Sequence, residues 1–128
     1  MSLNIKLSHD KRVAVYTWND PIALVDFEYG FNTIGAAYEQ AMGPIHSIFV
    51  SKKSLPLNSI GAFINHPSSQ FLNPNAGVLI VVGDSSAAKA IMDMTAPLLP
   101  GTQVLSCDTI EEAYEMMEGI LQAELERV

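Results

Sequence analysis

Val78-Leu79-Ile80-Val81-Val82, followed at once by Gly83-Asp84-Ser85-Ser86, decides the fold. Five consecutive apolar residues, four of them β-branched, leave no polar alternation. The strand they form is therefore covered on both faces, as a central parallel strand is. The run is far short of the ~20 residues that a membrane span requires. Gly83-Asp84-Ser85-Ser86 is a turn with helix-capping residues. The helix it opens carries Ala87, Ile91, Met94 and Leu98 on one face and is ended by Pro97 and Pro100-Gly101. A buried strand, a tight turn and an amphipathic helix form the repeating unit of a parallel α/β sheet.

The flanking segments repeat that unit. Towards the C-terminus, Gln103 to Cys107 reads as a fifth strand. Asp108 to Glu111 matches a D-x-x-E capping box. The closing helix has Ile110, Ala113, Tyr114, Met117 and Leu121 inward and Glu111, Glu115 and Glu118 outward. Towards the N-terminus, Pro67 to Ala76 is a polar loop, Leu57 to Asn65 a short helix, and Ile45 to Val50 a strand. Asn32 or Thr33 caps a helix that runs to Met42 and stops at Gly43-Pro44, with Ile34, Ala37, Tyr38 and Ala41 as its apolar stripe. Arg12 to Trp18 and Ile22 to Tyr29 read as an antiparallel hairpin turning at Asn19-Asp20-Pro21. Its second arm places Ala23, Val25, Phe27 and Tyr29 on one face and Asp26 and Glu28 on the other. Residues 1–10 read as an arm outside the fold, with Met1-Ser2-Leu3 as an expression remnant. Residues 11–128 read as one domain. The expected fold is α/β: a mixed, mostly parallel five-stranded sheet with an N-terminal antiparallel hairpin and about four helices.

Composition limits function. The chain has 128 residues, 48% of them hydrophobic, enough for one domain with its own core. Net charge is −7, and its distribution matters more than its sum. From Asp108 onward seven acidic residues face only Arg127, so that stretch holds −6 of the −7. No basic patch exists to displace counterions from a phosphate backbone, which argues against nucleic acid. An anionic membrane surface would repel the last helix. The one cysteine, Cys107, allows no internal disulfide, which suits a reducing cytoplasm. With His9, His46 and His66 scattered, no metal-ligand spacing appears.

The order of elements, the strand ending Val-Val-Gly83 and the closing helix opened by Asp108-Thr109-Ile110-Glu111-Glu112-Ala113 resemble the STAS-like domains. These are relatives of the bacterial anti-sigma-factor antagonists, and the likeness covers residues 11 to 122. The resemblance implies a non-enzymatic regulatory or protein-interaction module, and a fold shared with lipid-carrier domains. In antagonist members a serine at the start of the second helix is phosphorylated, within a pattern close to Asp-Ser-Ser-Gly-Leu-Gly. Here the chain reads Pro56-Leu57-Asn58-Ser59-Ile60-Gly61, so the phospho-switch does not carry over.

Ligands of parallel sheets gather outside the carboxyl ends of the strands. The expected partner or ligand surface is therefore Asn58, Ser59, Gly83, Asp84, Ser85 and Ser86, with Met92 beside them if exposed. The Gly83 loop could hold an anion on free helix amides, but Asp84 is itself an N-cap residue and fills that role. Cys107 sits at a strand end with no histidine in its sequence context, and reads as a buried structural thiol. His46 reads as a rim residue beside Pro44, and His66 as a helix-end residue. No catalytic, cofactor or metal residue is assigned. The leading expectation is an interaction domain that binds a protein partner or itself. A binder or carrier of a small apolar ligand is the alternative, and a hydrolase with a Cys or Ser nucleophile is the third.

Overall fold

A computed structural model describes residues 2–19, 21–73, 75–95 and 103–126. Five strands, β1 (Leu3–Ser8), β2 (Val13–Trp18), β3 (Ile45–Val50), β4 (Ala76–Val82) and β5 (Val104–Cys107), lie side by side in that order. β1 runs antiparallel to β2, in register from Leu3↔Trp18 to Ser8↔Val13, and the other three pairings are parallel. The helices are α1 (Leu24–Gln40), α2 (Leu57–Asn65), α3 (Ser85–Thr95) and α4 (Ile110–Glu126), with one 3-10 turn at Gln70–Leu72. This is the expected α/β class.

Strand order equal to sequence order has a consequence. Crossovers of one hand between successive neighbours place all their helices on the same face. Accordingly α1, α2 and α3 bury Ile34, Ala37, Ile60, Phe63, Ile64, Ala88 and Ile91 against Tyr16, Trp18, Phe49, Leu79 and Val81. No strand follows α4, so it is free to take the opposite face. There Ala113 and Met117 meet Val13, Val15, Ile48 and Ile80. β4 runs between two parallel neighbours with Leu79, Ile80 and Val81 buried, as its unbroken apolar run requires.

The hairpin differs from expectation. Ile22 to Tyr29 is not a strand, because α1 begins at Leu24 and holds Asn32 and Thr33 in its middle. The period-two alternation there is incidental. The helical spacing of Asp26, Gly30, Ile34 and Ala37 is what gets buried, while Leu24 and Val25 stay exposed. The strand that pairs with β2 lies in the supposed arm, where Leu3 and Ile5 are buried and Asn4 and Lys6 exposed. Asp26, expected on a polar face, instead pins this edge. Its Oδ1 accepts from the Leu3 amide and its Oδ2 from the Ala23 amide, each at 2.9 Å. Tyr29 adds a clip, its hydroxyl accepting from the Ile5 amide at 2.9 Å and donating to the Ile5 carbonyl. An edge strand left bare is a template for unwanted pairing, and these two side chains occupy part of it.

Two smaller differences concern helix ends. α1 stops at Gln40, before Met42, with Gly43-Pro44 beyond it. α4 is capped by Thr109 rather than Asp108: the Thr109 hydroxyl accepts from the Glu112 amide at 3.1 Å and donates to the Glu112 carboxylate at 3.2 Å. Pro97, Leu98 and Pro100-Gly101, expected to finish α3 and its stripe, lie outside the described residues.

Candidate functional site

At the carboxyl ends of the strands, α2 and α3 start side by side. Leu55 packs beside Gly83, and the two helices are in contact. Asn58 is exposed, Ser59 half-buried, and Asp84, Ser85 and Ser86 exposed, so these residues share one surface. Met92 is also exposed, but eight residues beyond Asp84 it lies about 12 Å further along α3. Asp84 caps its helix, accepting from the Ser86 hydroxyl at 2.6 Å and the Ala87 amide at 2.9 Å. These bonds hold its carboxyl below the usual range. α2, by contrast, follows Pro56 and receives no side-chain cap. Just before it, Lys52 and Lys53 are exposed on a loop closed by Ser51, whose hydroxyl donates to the Ser54 carbonyl.

Cys107 is half-buried and donates to the Thr109 carbonyl at 3.3 Å. Burial first, then the charges of Glu112 and Asp108, push the thiol above its ordinary value. A thiol shifted that way is mostly protonated at neutral pH and a poor nucleophile.

The opposite end of the sheet carries a polar cluster. β4 holds one residue more than β3 between the pairs Ile45↔Ala76 and Ser47↔Leu79, so Gly77-Val78 faces His46 alone. Such a bulge is rare between parallel strands and leaves a ladder amide without its partner. The His46 ring supplies the missing acceptor: its Nδ1 accepts from the Val78 amide at 2.8 Å. Because Nδ1 must be bare to accept, the proton of the neutral ring is on Nε2, which donates to Glu124 at 2.6 Å. The other Glu124 oxygen accepts from the Arg12 guanidinium, and Arg12 Nε donates to the Pro44 carbonyl at 2.6 Å. Gly77 makes the arrangement possible, since a Cβ there would stand 2.2 Å from His46 Nδ1.

The β1–β2 turn presents Arg12 to this cluster. His9, Asp10 and Lys11 have φ of 53°, 57° and 65°. Left-handed backbone costs about 1–2 kcal/mol per residue, less readily borne by Lys11 than by His or Asp. The turn is held by Lys11 donating to Gln40 at 2.7 Å and by the His9 ring, which stacks on Tyr114 and lies 3.9 Å from Glu118.

The His46 side chain is only 3% exposed, so it is not the rim residue expected from its place beside Pro44. Burial, with Arg12 adding to it, holds the ring below the ordinary histidine value despite the opposing pull of Glu124. Both ring nitrogens are committed, and neither has a free lone pair to take a proton from a substrate. Over the cluster lies an open pocket of about 280 Å³ lined by Pro44, His46, Gly77, Val78, Gln103 and Glu124. His66 closes the turn after α2 by accepting from the Ser68 amide at 3.0 Å, with its ring against Phe31.

Glu124 went unread in the sequence, although a signal exists. The stripe Ala113, Met117, Leu121 continues at helical spacing to position 124, where a carboxylate takes the apolar place. A charge on a buried stripe calls for a partner.

The interior between the sheet and α1 is filled. The fissure bounded by Tyr16, Ile34, Tyr38, Ile45, Ser47, Gln70 and Phe71 has a volume of about 0 Å³, so it admits no water. Aromatic rings fill the space beside it, with Trp18 edge-on to Phe49 and Phe63 at 5.4 and 5.3 Å between centroids. Among the described residues, no group of three histidine, cysteine or carboxylate side chains is placed to hold a metal, and no helix is long and apolar enough to cross a membrane. No family model, curated protein or solved structure matches the chain.

Proposed function

We propose that this chain is a non-enzymatic regulatory domain of STAS-like type that binds a protein partner through the amino-terminal ends of α2 and α3. The reading is carried by the way Leu55 against Gly83 merges two loops into one exposed polar surface bearing Asn58, Ser59, Asp84, Ser85 and Ser86. Charge narrows the partner. The Asp84 carboxylate is occupied by its own helix, whereas Lys52 and Lys53 stand exposed ahead of uncapped α2 amides. A partner offering carboxylates to this end is complementary to it. The committed nitrogens of His46 and the raised thiol of Cys107 fit a role outside catalysis. The filled fissure gives the apolar-ligand alternative no chamber at that place. A reducing, cytoplasmic setting suits the lone cysteine.

Site-specific photo-crosslinking in the source cell tests the reading. A crosslinker at Asn58 is expected to give a discrete adduct that disappears in the Lys52→Glu/Lys53→Glu variant. The same crosslinker at Glu115, on the outer face of α4, is expected to give none. No adduct at Asn58, or equal adducts at both positions, would overturn the proposal.

A further inference from the structure

We propose that the last two turns of α4, from about Leu121 to Glu126, form a proton-operated latch: they rest on the sheet while the His46 ring is neutral, and a proton on Nδ1 releases them. The inference rests on the geometry around His46 and is independent of the partner surface at the other end.

A proton on Nδ1 would set one N–H donor against another, because that nitrogen lies 2.8 Å from the Val78 amide. The ring has no retreat towards β4, where even a methyl group on Gly77 would overlap it. Among the described residues, two charged groups face the ring: Glu124 from α4 and Arg12 from the turn just before β2. The remaining neighbours, Pro44, Gly77, Val78 and Gln103, are neutral. Glu124 favours the imidazolium, but it is shared with Arg12, which opposes it. The protonated ring therefore finds relief only outward, into the open pocket and water.

Among the described residues, the end of α4 is held by Leu121 packed against the sheet and by the bonds of Glu124. Gln122, Leu125 and Glu126 are exposed, Leu125 by 70%. Among the described residues, the last turn carries no basic residue, and Glu124 and Glu126 oppose the helix dipole. Glu124, bound to His46 and Arg12, is its polar anchor. The sign follows from the lowered value of His46. The neutral ring stabilises the docked state above the ordinary histidine pKa of ~6.5, and that stability is lost as pH falls from there through the folded value.

Amide hydrogen exchange at about pH 7.5 and 5.5, corrected for intrinsic rates, reads the latch directly. Protection of residues 121–126 relative to 110–117 is expected to fall severalfold on acidification. In His46→Asn, whose side-chain oxygen can replace Nδ1 as acceptor but does not titrate, the ratio is expected to stay flat. His9→Asn is expected to behave as the wild type. A wild-type ratio that does not change, an acid response that persists in His46→Asn, or one that vanishes in His9→Asn would each overturn the proposal. Should His46→Asn fail to fold, the wild-type and His9→Asn profiles still decide it.

Discussion

Replacing Gly77 by alanine probes the bulge with a single methyl group. The added Cβ would lie 2.2 Å from His46 Nδ1, 2.6 Å from Cε1 and 3.0 Å from Cγ, well inside contact distance. The ring cannot yield cheaply, because Nε2 is held by Glu124 and the side chain is buried. If the backbone shifts to relieve the overlap, overpacking costs about 1–3 kcal/mol. If the ring leaves instead, the Val78 amide loses its acceptor, which costs about 1–3 kcal/mol. The protein takes the cheaper mixture of the two routes, so the expected loss is about 2 kcal/mol. For a domain of this length, 1 kcal/mol moves Tm by roughly 4 °C, so the fall is about 8 °C. Urea unfolding followed by circular dichroism measures it through the midpoint, with the slope unchanged. The cause is isolated by a double-mutant cycle: in a His46→Ala background the ring is gone, and Gly77→Ala should cost less than about 1 kcal/mol. Gly119→Ala is the control, since nothing lies within 4 Å of its Cβ in the interior of α4. It should gain about 0.5–1 kcal/mol from helix propensity. A Gly77→Ala protein within ~0.5 kcal/mol of wild type, or an equal loss with and without the His46 ring, would refute the reasoning.

Other consequences can be measured with the same transitions. Burial alone would raise the Asp26 carboxyl, but the Leu3, Ala23 and Ser2 amides more than offset it and lower its value. Its contribution is thus present above the unfolded carboxylate pKa of ~3.9 and is lost as pH falls through the lower folded value. Asp26→Asn should reduce stability by about 1.5–3 kcal/mol at pH 7, the scale of hydrogen bonds to a charged group, and flatten the acid limb of a stability profile. Burial pushes the Tyr38 hydroxyl up to about 12. The unfolded chain releases that proton first, so stability is full below pH ~10 and falls as pH rises towards the folded value. Tyr38→Phe should reduce the base-induced loss in urea titrations between about pH 9 and 11.

The strands and helices from β3 onward were readable because each is marked by composition and punctuation together. Val78 to Val82 is too apolar for an exposed strand, and Leu57 to Asn65 is bracketed by Pro56 and Pro67. The strand from Arg12 to Trp18 was legible too, but Ile22 to Tyr29 misled because two periods overlap there. Ala23, Val25, Phe27 and Tyr29 alternate like a strand, yet Leu24 and Val25 are left in water, and Asp26 is buried for its hydrogen bonds. Burial of a carboxylate by backbone amides leaves no hydrophobic trace. The true edge strand was hidden by its sparse apolar content, with Leu3 and Ile5 its only buried side chains. At the carboxyl ends of the strands, the general rule for parallel sheets was enough to place Asn58, Ser59 and the Gly83 loop on one surface. The amino-terminal cluster escaped because it is assembled from residues 12, 46, 77 and 124, whose meeting depends on a bulge that no local pattern encodes.

The central structural claim is that the conspicuous histidine is a fastening with both nitrogens in use. Nitrogen-15 NMR of the imidazole rings at neutral pH tests it most directly. His46 should be neutral, with a protonated Nε2 and a bare Nδ1 that shows a hydrogen-bond coupling to the Val78 amide. A proton on Nδ1 in place of Nε2, or an imidazolium at pH 7, would contradict the account.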